Sequence, residues 1–149
     1  RLLGDGHRLR GLVRDADKGR RLAAMGVEPV MGGLDDATIL TVEARRADAV
    51  INAASSDHRG AVEALVEGLA GSNKPFLHTS GSSIVADEAR GDFASDKIYD
   101  EDTPFVPVAG KQARVAIDDI VRGAAARGVR SAIVCPTMIY GFGLGLARD

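Results

Sequence analysis

Apolar and polar positions along the chain follow two periods. Short apolar runs bounded by glycine, asparagine or aspartate mark strands. Longer stretches with apolar residues three and four apart mark helices. Leu2-Leu3-Gly4-Asp5-Gly6-His7 reads as the tail of a helix stopped by glycine, and Arg8 to Val13 as a strand. Arg14-Asp15-Ala16-Asp17 is a turn, with Asp17 placed to cap a helix through Met25 that Gly26 ends. Val27 to Met31 is a second strand closed by Gly32-Gly33. A helix runs from Asp35 or Asp36 to about Arg46, and Asp48 to Ala53 is a third strand. The helix His58 to Ala70 carries an apolar stripe of Ala61, Val62, Leu65, Val66 and Leu69. Phe76 to Ser80 is a fourth strand, and residues 81–110 show no clean period. Lys111 to Arg127 is a helix with Ala113, Ala116, Ile117, Ile120, Val121, Ala124 and Ala125 on one face. Ser131 to Cys135 is a fifth strand stopped by Pro136, and Gly141 to Gly145 reads as a flexible glycine segment.

Strand and helix alternate to the end. That predicts an α/β fold, a doubly wound parallel sheet with helices on both faces. Ligands of such sheets sit outside the carboxyl ends of the strands. The chain starts inside a helix pattern and stops in a loop after a strand. The expectation is therefore one partial domain over residues 1–149, cut at both ends, with no second domain. The alanine-rich outer faces of the 58–70 and 111–127 helices would allow close approach of a second copy. A homodimer and a monomer whose stripes are used against the sheet both remain open.

Composition narrows the partners. The net charge of −2 gives no electrostatic reason for a nucleic-acid or acidic-membrane partner. The apolar runs are too short to span a bilayer. A single cysteine, Cys135, excludes an intrachain disulfide and fits a reducing, cytoplasmic compartment.

The candidate chemistry lies at the strand ends. Arg14 follows the first strand directly and Lys18 comes one helical turn later. In a dinucleotide fold that corner faces the adenosine ribose, and an Arg there accommodates the 2′-phosphate of NADP. The alternative is a solvated basic turn. In Met31-Gly32-Gly33-Leu34-Asp35-Asp36 an adenine ring could rest on Leu34, although a plain tight turn accounts for the residues nearly as well. Ala53-Ala54-Ser55 after the third strand lets a ligand approach the backbone, or merely punctuates the strand. Thr79-Ser80-Gly81-Ser82-Ser83 after the fourth strand is the stretch on which an enzymatic reading turns, its alternative being a Ser/Gly-rich loop. His7 and His58 sit at helix ends, and His78 lies inside a strand as a partnered core or cleft histidine. No metal-ligand spacing links them to Cys135. The Gly81-Ser82-Ser83 turn lacks the G-x-S-x-G of a hydrolase elbow.

GHRLRGLVRDADK (6–18), MGGLDD (31–36), DAVINAAS (48–55), FLHTSGSSIVAD (76–87), YDEDTP (99–104) and CPTMIYG (135–141), in this order and spacing, carry a resemblance. The chain resembles an atypical extended short-chain dehydrogenase/reductase of the NAD-dependent epimerase/dehydratase group, over nearly its whole length. The resemblance implies a Rossmann-like domain in which the first strand and its G-x-x-G-x-x-G turn would precede Arg1. It also implies an NADP-linked oxidoreductase or epimerase/dehydratase-like protein, with NAD as the other cofactor, acting on a small carbonyl or sugar-like substrate. The cofactor would meet Arg14, Lys18, Leu34, Ala53, Ala54, Ser55, Thr79, Ser80, Pro136 and Thr137, with Met138 also bordering the nicotinamide position.

The family works with a Ser or Thr, a Tyr and, four residues later, a Lys. Here one register puts Gly81 at the serine, Gly110 at the tyrosine and Arg114 at the lysine. The other takes Lys111 as the lysine and leaves Pro107 at the tyrosine. Neither contains a tyrosine, since Tyr99 and Tyr140 belong to other motifs, and Cys135 stands where an arginine is common. The replacement proton carriers are Ser80, Ser82 and Lys111. A non-catalytic nucleotide-binding regulator, or a fragment unable to bind cofactor, is the rival expectation.

Overall fold

The structure is a computed structural model. It describes residues 1–87, 89, 92, 93 and 95–137, and the backbone of 140, 141, 144 and 145. In chain order the elements are β1 (Arg10–Val13), α1 (Ala16–Ala24), β2 (Glu28–Met31), α2 (Ala37–Arg46) and β3 (Val50–Asn52). There follow α3 (Arg59–Leu69), β4 (Pro75–Thr79), α4 (Gln112–Gly123), β5 (Arg130–Val134) and the short β6 (Tyr140–Gly141) and β7 (Leu144–Gly145). The fold is α/β and Rossmann-like, with parallel strands returning through helices.

The strands form two parallel sheets. β1 pairs with β2, Val13 opposite Met31. β3, β4 and β5 pair in that order, with Asn52 opposite His78 and Thr79 opposite Val134. Among the described residues no strand lies between β1 and β3. The Glu28 N–H donates to Leu9 O and the Gly32 N–H to Val13 O. Odd-numbered residues of β1 thus bond to β2, and the backbone groups of Arg10 and Leu12 face away from it. They turn to a groove whose other wall is Val50–Asn52 and whose floor includes Leu40 and Ala44 of α2.

The core gathers on α3. Its Ala61, Val62, Leu65, Val66 and Leu69 are buried, as the stripe predicts, and so are Ala64 and Gly68. They pack with Leu40 and Ala44 of α2, Phe76 of β4, and Ile117 and Val121 of α4. The approach of α2 requires a glycine: a Cβ on Gly68 would stand 2.5 Å from Thr41 O and 2.7 Å from Ala44 Cβ. The Thr41 hydroxyl donates to Ala64 O at 3.0 Å across the same seam. Gly128, at φ +71°, turns the chain out of α4 into β5 in the left-handed region that suits glycine.

Several local expectations are corrected. Residues 2–6 form a turn, closed by bonds such as Gly6 N–H to Leu3 O. Asp15, not Asp17, caps α1, accepting the Lys18 N–H at 2.8 Å, because the helix begins at Ala16, two residues before an Asp17 cap would start it. The helix after residue 111 tightens into a 3-10 turn over Ala124–Arg127, and Ala113, Ala116 and Ala125 are exposed. In their place Asp118 is buried. The outer face of α3 is charged, with Arg59, Glu63 and Glu67. The glycine segment near the end forms the antiparallel β6–β7 pair; Phe142 and Gly143 lie outside the described residues. Among the described residues no helix is long and apolar enough to cross a membrane.

Candidate functional site

Parallel register brings the carboxyl ends of β3, β4 and β5 side by side. Ser80, just past β4, donates its N–H to Val134 O at 2.8 Å, and the Ser82 N–H reaches Pro136 O at 3.2 Å. Ala53, Ala54 and Ser55 therefore neighbour the Thr79–Ser83 turn, which neighbours Cys135, Pro136 and Thr137. Ser82 and Ser83 begin a single 3-10 turn, Ser82–Val85. Met138 lies outside the described residues.

Under this rim runs a line of buried polar groups. Asn52 of β3 meets Nδ1 of His78 at 3.1 Å, and its side-chain oxygen accepts the Ala54 N–H at 3.3 Å. Nε2 of His78 faces Oδ1 of Asp118 at 3.8 Å, beyond hydrogen-bond reach. The other Asp118 oxygen accepts the Ser80 hydroxyl at 2.8 Å. Burial pushes the His78 imidazole below its ordinary pKa, with the charge of Asp118 opposing. Burial pushes the Asp118 carboxyl up, against the Ser80 hydrogen bond and the nearby cations. Ser80 is thus turned inward. Cys135 is exposed; desolvation of its thiol and the charge of Asp118 push its pKa up, while Ser80 and the Gly81 N–H oppose them.

A second construction stands at the start of α4. Arg114 binds Asp57 in the β3–α3 loop with a two-pronged contact, Nε to Oδ1 at 2.8 Å and Nη2 to Oδ2 at 2.5 Å. Its Nη1 donates to Ser83 Oγ at 3.1 Å. The guanidinium holds the Asp57 carboxyl below its usual range. A Cβ on Gly81 would lie 3.5 Å from Nη1, so Gly81 and Arg114 are neighbours, as the first of the two registers requires. Lys111 closes the 3-10 turn before α4, close enough for its charge to act on Asp57. Around Gly110 a Cβ would meet nothing within 4 Å.

The other sheet supplies a separate corner. Arg14 leaves β1 at its carboxyl end and makes no ion pair among the described residues. Lys18 is held by Asp15 at 3.2 Å. Leu34 and Ala54 both line the groove between the sheets. His58 caps α3 through Nδ1, which accepts the Ala61 N–H, and its Nε2 lies 3.1 Å from Asp35. The β2–α2 and β3–α3 turns are joined there.

Sequence reasoning missed Asp57 and Asp118 as members of the site; Ser83 belongs to the Thr79–Ser83 stretch it singled out, and Asn52 to the strand end before Ala53. One signal existed: Asp118 directly follows Ile117 on the face of α4 that carries Val121, a charge inside an apolar stripe.

No protein-family model matches the chain. It is 33% identical to the oxidase ucsJ of an Acremonium species over 159 aligned positions, which take in 92% of this chain and 44% of that protein. It is 29% identical to the uncharacterized protein YLL056C of Saccharomyces cerevisiae, over 95% of this chain and 49% of that one. The chain thus spans about half the length of the curated relatives it matches. A solved structure from Burkholderia cenocepacia, described as a candidate epimerase, superposes with a TM-score of 0.68. The match is 22% identical and takes in 99% of this chain and 51% of that one, and the likeness is one of fold.

Proposed function

We propose that the protein is an NADP-linked oxidoreductase or epimerase/dehydratase-like enzyme of the short-chain dehydrogenase/reductase type, acting on a small carbonyl or sugar-like substrate. The observation that carries the reading is Arg14, a cation without an ion pair among the described residues, leaving the carboxyl end of a parallel strand. A guanidinium there suits the 2′-phosphate that separates NADP from NAD. Lys18 contributes less than the sequence implies, because Asp15 already neutralises it.

Leu34 and Ala54, sharing one groove, fit the apolar face of an adenine. Ala53, Ser55, Thr79, Ser80, Pro136 and Thr137 would follow the cofactor towards its nicotinamide. When bound, the cofactor supplies or removes hydride. The chain's own residues orient the substrate and handle the proton. Arg114 fixes the Asp57 loop to the Ser83 turn and so holds two walls of the site. Ser82 and Lys111 remain the proton carriers on the open side, because the hydrogen of Ser80 is directed at Asp118. The name of the Acremonium relative supports oxidation–reduction chemistry.

Gly110 favours a second reading. It stands where the Gly81–Arg114 register would put the family's tyrosine and has no side chain to give or take a proton. A protein that binds the dinucleotide and senses it without turnover would need none.

Calorimetric titration of NADP and NAD into the full-length protein and its Arg14→Ala variant tests the assignment. One charge-assisted phosphate contact is worth about 1.5–3 kcal/mol, roughly tenfold or more in affinity. NADP is expected to bind tighter than NAD by that factor, and Arg14→Ala to erase the difference. Equal affinities in the wild type would end the NADP assignment. Binding of neither nucleotide would end both readings. Nicotinamide oxidation with carbonyl substrates then separates enzyme from sensor.

A further inference from the structure

In the line of polar side chains beneath the rim, His78 and Asp118 have no task in the reading above. His78 is 0% exposed, Asp118 1% and Ser80 7%. The Asn52 oxygen accepts from Ala54, so the amide nitrogen is what faces His78, and it donates to Nδ1. A neutral ring that accepts at Nδ1 carries its hydrogen on Nε2. That atom points to Asp118 Oδ1, and neither finds another partner among the described residues. Unpaired polar atoms at this depth are costly and call for a reason.

We propose that Asp118 is a positioning residue that sets the hydrogen-bond direction of Ser80 at the foot of the candidate site. As a carboxylate it holds the hydrogen of Ser80 inward, leaving the hydroxyl lone pairs to face the rim. Having taken a proton from solvent it donates to Ser80 Oγ, and the Ser80 hydrogen swings outward. The rim then offers a donor, matched to a carbonyl oxygen, where before it offered an acceptor, matched to an alcohol. No covalent bond changes other than the carboxyl O–H. The two fully buried groups facing each other, His78 and Asp118, make the proton's position responsive to both. The other groups around Asp118 are Arg114 and Arg122 on its own helix and Cys135 past β5. From α3, which packs on α4, only alanine, valine, leucine and glycine are buried. The consequence for substrate rests on the functional reading above; the relay itself does not.

Cys135 reports on the relay, because Ser80 and Asp118 both act on its thiol. The experiment follows its alkylation by iodoacetamide at pH 8 in the full-length protein, by peptide mass spectrometry. Asp118→Asn is expected to speed the reaction about threefold or more, the effect of half a unit in thiol pKa. Adding Ser80→Ala should cancel that gain. A gain that survives in the double variant would mean that charge alone is felt, and would overturn the relay. An unchanged rate in Asp118→Asn would overturn it as well. Nitrogen NMR of the wild type adds a check that needs no Asp118 variant: His78 should show the Nε2–H tautomer, and an Nδ1–H ring defeats the proposal. Failure to find any nicotinamide-dependent activity bears on the functional reading and leaves these outcomes as they are.

Discussion

At the scale of single residues, two titratable side chains, His78 and Asp118, lie where water is scarce. His78 is wholly buried, and burial lowers its pKa. In the unfolded chain the ring takes a proton near its ordinary value of 6.5, whereas in the folded one it does so only at lower pH. As pH falls through 6.5 the unfolded chain therefore binds the extra proton, and the folded state loses stability. The midpoint of urea unfolding is expected to fall between pH 7 and pH 5, and His78→Gln to flatten that part of the profile. A wild-type midpoint independent of pH over this interval would contradict a ring held neutral. Asp118, shifted up, has the opposite sign: its burial weighs on the fold as pH rises from 3.8 through its folded pKa. The two effects oppose each other as pH falls, and the His78→Gln variant separates them. Legibility follows the same line. The strand-end positions of Arg14, Leu34 and Ala54 were readable, because a strand end is set by the apolar run before it. Asp57 and Arg114 were not readable as partners. They are 57 positions apart, and nothing in either neighbourhood records the other.

At the scale of elements, helix positions came from periodicity, and their ends from side chains that periodicity does not weigh. The stripe of α3 was legible because every third or fourth residue is apolar. That Ala64 and Gly68 are also buried was not, because it depends on α2 lying against them. The exposure of Ala113 and Ala116 was missed for a related reason: alanine satisfies a buried face and a solvent face equally well. Two glycines test this account against each other. Gly68→Ala sets a Cβ against the Thr41 carbonyl oxygen and must part α2 from α3. Overpacking of that kind costs about 1–3 kcal/mol, more than the roughly 1 kcal/mol that alanine returns in helix propensity. Gly123 also lies in α4, but a Cβ there meets nothing within 4 Å. Gly123→Ala is expected to stabilise by up to about 1 kcal/mol. Urea midpoints at constant slope measure both, and a Gly68→Ala protein as stable as the parent would show the α2–α3 seam to be loose.

At the scale of the whole molecule, the facing edges of β1 and β3 have no strand between them among the described residues. Strands of parallel sheets are ordinarily covered on both faces, yet Ile51 in β3 is 55% exposed. It stands beside a groove into which β1 turns the backbone groups of Arg10 and Leu12. Unpaired edges with apolar neighbours recruit other chains, and an exposed apolar patch adds to the drive. The 149-residue chain, isolated, is therefore expected to associate with rising concentration. The outer helix faces compete poorly as the contact, since Arg59, Glu63 and Glu67 cover that of α3. Of these two helices, α4 shows small apolar residues outward, at Ala113 and Ala116. Sedimentation of two variants separates the surfaces. Ile51→Lys places a charge at the groove and should shift the chain towards monomer, while Ala116→Arg, on the outer face of α4, should leave association unchanged. The reverse pattern would assign self-association to the helices, as the alanine-rich faces first implied. A wild-type chain that stays monomeric at high concentration would mean that the groove walls satisfy their own edges.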